Sequence, residues 1–278
     1  MYEALDLSIP DVDAYLDRFH GQRPQKPDRE SLDALVCAHQ CNVVFENLTP
    51  CVFRQPVSLE IPQLYDKFVT RRRGGYCFEQ NALFTQLLKD LGYRATACMC
   101  RITDDPQEKS PIMHRGIIVH FDREMVFCDV GFGGPAAPGS LPILDGSRTS
   151  FGREEYQVSR ADDYWWNISR TTSAGQQELV MQFFCMPQEN MDFIPFNEFC
   201  ARSPESPFTQ MLFLNLRRPD GSVSLLKDTF TCTSKGHSQT RKVRDMEDLL
   251  QLLQDPFGFD ADFCRTLDQK QLAIAAGL

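Results

Sequence analysis

The chain has 278 residues, 42 % of them hydrophobic and 24 % charged, with 38 acidic against 29 basic side chains. That composition is ordinary for a globular protein, and the length is sufficient for a sizeable core. The net charge of −9 argues against general binding to nucleic-acid phosphates, which needs a basic face.

Helical periodicity fills the first third. Val12, Tyr15, Leu16 and Phe19 form one apolar stripe that Gly21 ends, and Asp28 is placed to cap a second helix with Leu32, Leu35 and Val36 inward. His39, one turn on, reads as a satisfied core histidine rather than a ligand. The segment 43–50, VVFENLTP, breaks that helix and carries Glu46 in a stretch expected to be partly buried. Leu64, Tyr65, Phe68 and Val69 then lead into RRRGGYCFEQNALFTQLLKDL, residues 71–91. Phe84, Leu87, Leu88 and Leu91 recur at helical spacing, so Cys77 sits where a Gly-Gly turn becomes the first turn of a helix. Free N–H groups and the helix dipole favour an anion there, and a thiolate is one. The three arginines are a second expected source of a lowered thiol pKa. The bland alternative, a small buried cysteine beside a turn, is weaker because glycines, helix start and positive charge coincide.

The period changes after residue 92. Residues 93–102, 113–121 and 125–130 read as strands, the last two joined by a tight turn at Asp122-Arg123, and a Gly/Pro-rich loop follows. Further strands are expected around residues 156–158, 164–168 and 179–186, giving a mainly antiparallel sheet or barrel. Residues 191–207 read as an irregular connection with some helix, residues 211–216 and 223–230 as a hairpin, and residues 246–253 as the final clear helix. There is no CxxC and no Cys/His set with zinc spacing, so no metal is expected. The eleven cysteines read as mostly reduced residues of a cytoplasmic protein. The first residues lack the form of a signal peptide, and no apolar run is long enough to span a bilayer.

A cysteine nucleophile needs a base, and the base an orienting acceptor. The candidates are His20, His39, His114, His120 and His237. If Asp122-Arg123 is a two-residue turn, Phe121 pairs with Glu124 and paired residue numbers sum to about 245. Asp129 then faces Gly116, on the side of the strand that carries His114, while His120 lies near the turn. His114 with Asp129 is the better pair; the alternative is a polar strand face with an incidental histidine and aspartate.

These segments together resemble the arylamine N-acetyltransferase family. RRGGYCFEQN carries its RGGxC nucleophile turn. VVFENL resembles its PFENL signature with Val44 in place of proline, and MHRGIIV with CDVGFGG resembles its histidine and aspartate strands. The resemblance is strongest from Val43 to Gly134. It implies an α+β fold of three domains: an N-terminal helical bundle (1–91), a central antiparallel β-barrel (92–195) and a C-terminal connecting segment with an α/β lid (196–278). It also implies a cysteine acyltransferase with a Cys77–His114–Asp129 triad, acetyl-CoA as donor, no metal, and an arylamine or arylhydrazine as acceptor. An ion pair between Arg73 and Glu46 is expected to tie two motif loops together. CoA contacts are assigned to Lys109 and Ser110, where Pro111 cannot donate a backbone hydrogen bond, and to Phe208 and Thr209, where the match is loose. Phe132, with Gly133 beside it, is assigned to the acceptor site. The rival readings are a thioesterase or other cysteine hydrolase, an amide synthase of the same fold, and a non-catalytic binding module.

Overall fold

The computed structural model describes residues 2–105, 110–172 and 175–278. Its first third is helical. Asp11 caps α1 (Val12–Arg18) and Asp28 caps α2 (Arg29–Asn42), each side chain accepting a backbone N–H of the first turn. His39 is fully buried and its Nε2 lies 2.8 Å from the Tyr15 hydroxyl; burial holds its pKa down near 3, so it is a neutral core residue. Strand β1 (Phe45–Glu46) and the short helices α3 (Leu48–Cys51) and α4 (Ile61–Tyr65) lead to α5 (Cys77–Asp90). Helix α5 is buried on nearly every side. Phe84, Leu87 and Leu88 pack with Tyr15, Phe19 and Leu35 from the first two helices and with Ile117 and Val119 from the sheet that follows.

That sheet is an eight-stranded, nearly closed antiparallel barrel. It comprises β2 (Arg94–Arg101), β3 (His114–His120), β4 (Met125–Cys128), β5 (Leu141–Pro142), β6 (Ser147–Phe151), β7 (Glu154–Arg160), β8 (Trp165–Thr171) and β9 (Gln177–Phe184), in the order β5-β4-β3-β2-β9-β8-β7-β6. Ile117 pairs with Cys128 and His120 with Met125, and the Phe121 N–H donates to the Glu124 carbonyl at 2.8 Å, so the two-residue turn sets the expected register. Strands β5 and β6 were not expected, since β5 is only the two residues Leu141–Pro142 and β6 is a mostly polar run without an alternating apolar pattern.

Helices α6 (Ile194–Arg202) and α7 (Pro207–Gln210) connect to a second sheet. It runs β1-β10-β11-β12-β13, with β10 (Phe213–Arg218), β11 (Gly221–Leu226), β12 (Thr229–Ser234) and β13 (His237–Lys242). Three sequence expectations need correction here. The single strand read over residues 223–230 is the end of β11, a turn and the start of β12, because Lys227 adopts a left-handed conformation with φ 55°. Strand β13 was not expected at all: every residue of it is exposed, so hydrophobic alternation is absent, and its signal is the turn at Lys235-Gly236, both at positive φ. The chain also does not end its helices at α8 (Met246–Gln254). Asp260 caps α9 (Ala261–Thr266) and Asp268 caps α10 (Gln269–Ala276), two short helices that close the core beneath the second sheet. Among the described residues, no helix is long and apolar enough to cross a membrane.

Candidate active site

The glycine turn before α5 is dictated by close packing. A Cβ on Gly74 would lie 1.8 Å from the Val44 carbonyl oxygen, so only glycine lets the two loops meet. The Gly75 carbonyl accepts the Glu46 N–H at 3.1 Å and the Gln80 amide at 2.7 Å. Glu79 turns back to accept the Tyr76 N–H at 3.1 Å and is held by Lys67 at 2.7 Å. Cys77 is therefore the first residue of a well-anchored helix, only 2 % exposed. Its sulfur lies 3.8 Å from the Met113 carbonyl and faces the N–H groups of Phe78 and Arg115. The residues on both sides of His114 thus border the thiol.

His114 opens β3 and Asp129 follows β4. His114 Nε2 and Asp129 Oδ2 are 2.5 Å apart, both groups nearly buried. The other carboxylate oxygen, Oδ1, accepts the Asn81 amide and the Gly131 N–H, each at 2.8 Å. Asn81 also donates to the Arg115 carbonyl and accepts the Val130 N–H at 3.0 Å. It lies one helical turn after Cys77, so a single side chain ties the nucleophile's helix to the strands that carry His114 and Asp129. The Asp129 carbonyl accepts the Gln40 amide of α2 at 2.7 Å. Sequence reading missed both residues. For Asn81 a signal existed, a polar residue four positions after Cys77 on the same helix face; for Gln40 there was none, since its partner is 89 residues away.

The arginine run does not do what its proximity in sequence suggested. Burial pushes the Cys77 thiol well up, the nearby Cys200 and Asp129 push the same way, and the N–H groups of Arg115 and Phe78 oppose them. The guanidiniums of Arg71 and Arg73 are directed elsewhere. Arg71 meets Asp66 at 2.7 Å near the surface. Arg73 Nη2 lies 2.5 Å from the fully buried Glu46, with its guanidinium over the rings of Phe53 and Phe263. The pair joins the FENL loop to the nucleophile turn.

The remaining residues form the walls. Phe132 is half-buried and meets the His114 ring edge-on at 5.5 Å between centroids. Gly133 passes against Phe45 and Phe213, where a Cβ would meet either ring within about 3 Å. Phe208 meets Tyr76 edge-on at 5.4 Å, in the apolar cluster that includes Cys77. Thr209 faces inward, its hydroxyl donating to the Ser203 and Ser206 carbonyls at 2.7 and 3.0 Å. Ser110 is half-buried, and Lys109 lies outside the described residues.

The model of the N-acetyltransferase family matches residues 28–265. The arylamine N-acetyltransferase / N-hydroxyarylamine O-acetyltransferase of Salmonella typhimurium is 33 % identical over 88 % of this chain and 87 % of its own. The solved Salmonella typhimurium arylamine N-acetyltransferase superposes with a TM-score of 0.87 at 28 % identity, covering 98 % of this chain and 99 % of that one. The Mycobacterium marinum enzyme, solved in complex with CoA, superposes with a TM-score of 0.87 at 25 % identity over 96 % and 98 %. The chain belongs to the arylamine N-acetyltransferase family.

Proposed function

We propose that this protein moves an acetyl group from acetyl-CoA, through an acetyl-Cys77 thioester, to the nitrogen of an arylamine or arylhydrazine. The observation that carries the reading is the buried His114–Asp129 pair beside a thiol at a helix N-terminus. A thiol that burial pushes up in pKa is inert without a base. With Nε2 engaged by Asp129, the other ring nitrogen of His114 is the one left to take the Cys77 proton. Asp129 holds the ring and stabilises the imidazolium. Cys77 then attacks the thioester carbonyl, the N–H groups at the start of α5 support the oxyanion, and the CoA thiolate leaves with the proton from His114. The acceptor nitrogen attacks acetyl-Cys77 while His114 takes its proton, and the thiol is restored.

The surroundings suit such substrates. Phe132 lies edge-on to His114, and Phe208 and Phe213 border the cluster around Cys77, an apolar wall matched to an aryl ring. Use of CoA is supported by the Mycobacterium marinum relative, which was solved with it. In this reading residues 1–91 supply the nucleophile, 92–195 the base and acid, and 196–278 the wall bearing Phe208. Ser110 and Lys109 are proposed to meet the CoA phosphates, Phe208 and Thr209 to lie along its path, and Phe132 and Gly133 to border the acceptor. All eleven cysteines are unpaired, which suits a cytoplasmic setting.

The test is intact-protein mass after mixing with acetyl-CoA alone, then with a substituted aniline. One acetyl group should appear on Cys77 and the aniline should discharge it. Loading followed by discharge only to water, whatever amine or hydrazine is offered, would make the protein a thioesterase. Failure of acetyl-CoA to load Cys77, with loading by longer acyl thioesters, would favour an amide synthase.

A further inference from the structure

The arginine run before the nucleophile turn borders a space that acetyl transfer does not use. A cavity of about 300 Å³ lies where the end of α1 and residues 71–73 meet β10 and the loop before α9. Its wall holds five arginines, Arg18, Arg71, Arg72, Arg73 and Arg218, and a single carboxylate, Asp260. Strand β1 divides it from Cys77. Phe45 packs in the cluster that contains Cys77, whereas Val44 lines the cavity and Glu46 meets Arg73, as alternation along a strand requires. On β10 the same alternation puts Phe213 with the Cys77 cluster and Leu216 and Arg218 on the cavity. We propose that this cavity binds a small organic phosphate monoester, clamped between Arg72 and Arg218.

The charge of the wall points to a dianion. Asp66 pairs with Arg71 and Glu46 with Arg73. Asp260, which also accepts the Phe263 N–H at 2.6 Å as the cap of α9, offsets one more. Two of the five guanidinium charges are then left over, and a phosphate monoester carries about −1.5 to −2 at pH 7. Arg18 shows the imbalance most directly. It is buried, and its donors go to the carbonyls of Phe68, Asn42, Arg72 and Arg73 rather than to a carboxylate. Burial and the neighbouring Arg72 hold its pKa down near 10.

The geometry assigns the contacts. Arg72 is exposed and stands at φ 49°, a left-handed conformation fixed by the Arg18 guanidinium, which donates to its carbonyl at 3.1 Å. Among the described residues its own guanidinium has no ion-pair partner. Arg218, half-buried on the opposite wall, uses Nη2 on the Pro256 carbonyl at 2.5 Å, which leaves Nε and Nη1 for a ligand. A planar guanidinium matches two phosphate oxygens at once, and two such forks from facing walls hold a tetrahedral group in one orientation. The organic part follows from size and surface. A cavity of about 300 Å³ is larger than an inorganic ion fills, and Phe257, Phe259 and Phe263 line it beside the arginines.

The test is titration calorimetry and thermal melting of the full chain with inorganic phosphate and with ribose 5-phosphate, at an ionic strength held constant with potassium chloride. Both should bind at one site and raise the melting temperature, ribose 5-phosphate the more tightly. Asparagine tolerates the left-handed conformation, so Arg72→Asn should keep the fold. It should weaken ribose 5-phosphate binding about tenfold or more, the loss of one charge-assisted contact, and Arg218→Gln should do the same. CoA, too large for the cavity and directed to the other side of β1, should leave the affinity unchanged. The proposal is overturned if potassium chloride alone raises the melting temperature as much, if both variants bind within about twofold of wild type, or if CoA displaces the sugar phosphate. Inorganic phosphate binding as tightly as ribose 5-phosphate would overturn the assignment of an organic ligand.

Discussion

Replacing Asp129 by asparagine tests the proposed mechanism at its most constrained point. In the native protein Oδ1 accepts two donors, Asn81 and Gly131, and Oδ2 lies 2.5 Å from His114 Nε2, which the proposed mechanism protonates. An asparagine has one acceptor oxygen. The two donors at the Oδ1 position hold it there, which turns the new amide N–H₂ toward Nε2. The ring must then accept at Nε2 and carry its proton on Nδ1, the nitrogen needed to take the Cys77 proton. The charge that stabilises the imidazolium is lost as well. A wrong tautomer of this kind in a serine protease triad costs about 10⁴ in rate, equivalent to about 5.5 kcal/mol of barrier. We expect a similar fall in the rate of acetyl-Cys77 formation, measured by rapid-quench intact mass with acetyl-CoA in excess. Stability should change little, because Asn81 and Gly131 keep their acceptor. Asp129→Ala is the contrast: it leaves both buried donors unpaired, at about 1–3 kcal/mol each, and should lower the urea midpoint visibly. Acetylation of Asp129→Asn within tenfold of wild type would refute the assignment of Asp129 as the group that sets the tautomer.

Other expectations follow from named contacts. His114→Ala should lose alkylation of Cys77 at pH 7 and regain it only in strongly alkaline solution, because burial raises the thiol and no base remains; an unchanged pH profile would mean that His114 does not activate the sulfur. His120→Ala should acetylate normally, since His120 pairs with Met125 at the far end of β3 and its ring lies 3.3 Å from the Thr96 hydroxyl; an inactive variant would reverse the choice of base. Glu46→Ala should destabilise by about 3–5 kcal/mol in urea denaturation, because it leaves the buried Arg73 without its carboxylate; a loss under 1 kcal/mol would show the pair to be dispensable. Asp248 accepts from Arg241 through both oxygens and from the Arg244 N–H, which holds its carboxyl well below the usual range. A depressed carboxyl contributes stability above its unfolded pKa of about 4 that is lost as pH falls toward the folded value. Asp248→Asn should therefore lower the melting temperature at pH 7 and narrow its gap from wild type progressively below pH 4; a gap independent of pH would contradict this.

Much of the site was legible in one dimension because its signals are local. A Gly-Gly turn and an apolar 3.6-residue repeat suffice to put Cys77 at the start of α5. A two-residue turn at Asp122-Arg123 suffices to bring Asp129 opposite the His114 end of β3, because pairing in an antiparallel ladder is counted outward from the turn. Helices first and antiparallel strands next follow from the same change of period, whereas the three-domain α+β fold with its C-terminal lid was implied by the family resemblance. What the tertiary structure alone decided depends on residues distant in sequence. Phe45 and Glu46 form a strand of the C-terminal sheet because β10, some 170 residues later, lies beside them. Neighbouring arginines diverge, Arg71 to a surface aspartate and Arg73 to a buried glutamate, because charge partners are chosen by packing rather than by position in the chain. Gln40 reaches Asp129 only after α2 has docked on the barrel. Strand β13 is exposed along its whole length and exists because β12 offers it a ladder of backbone hydrogen bonds, for which no side-chain pattern is required.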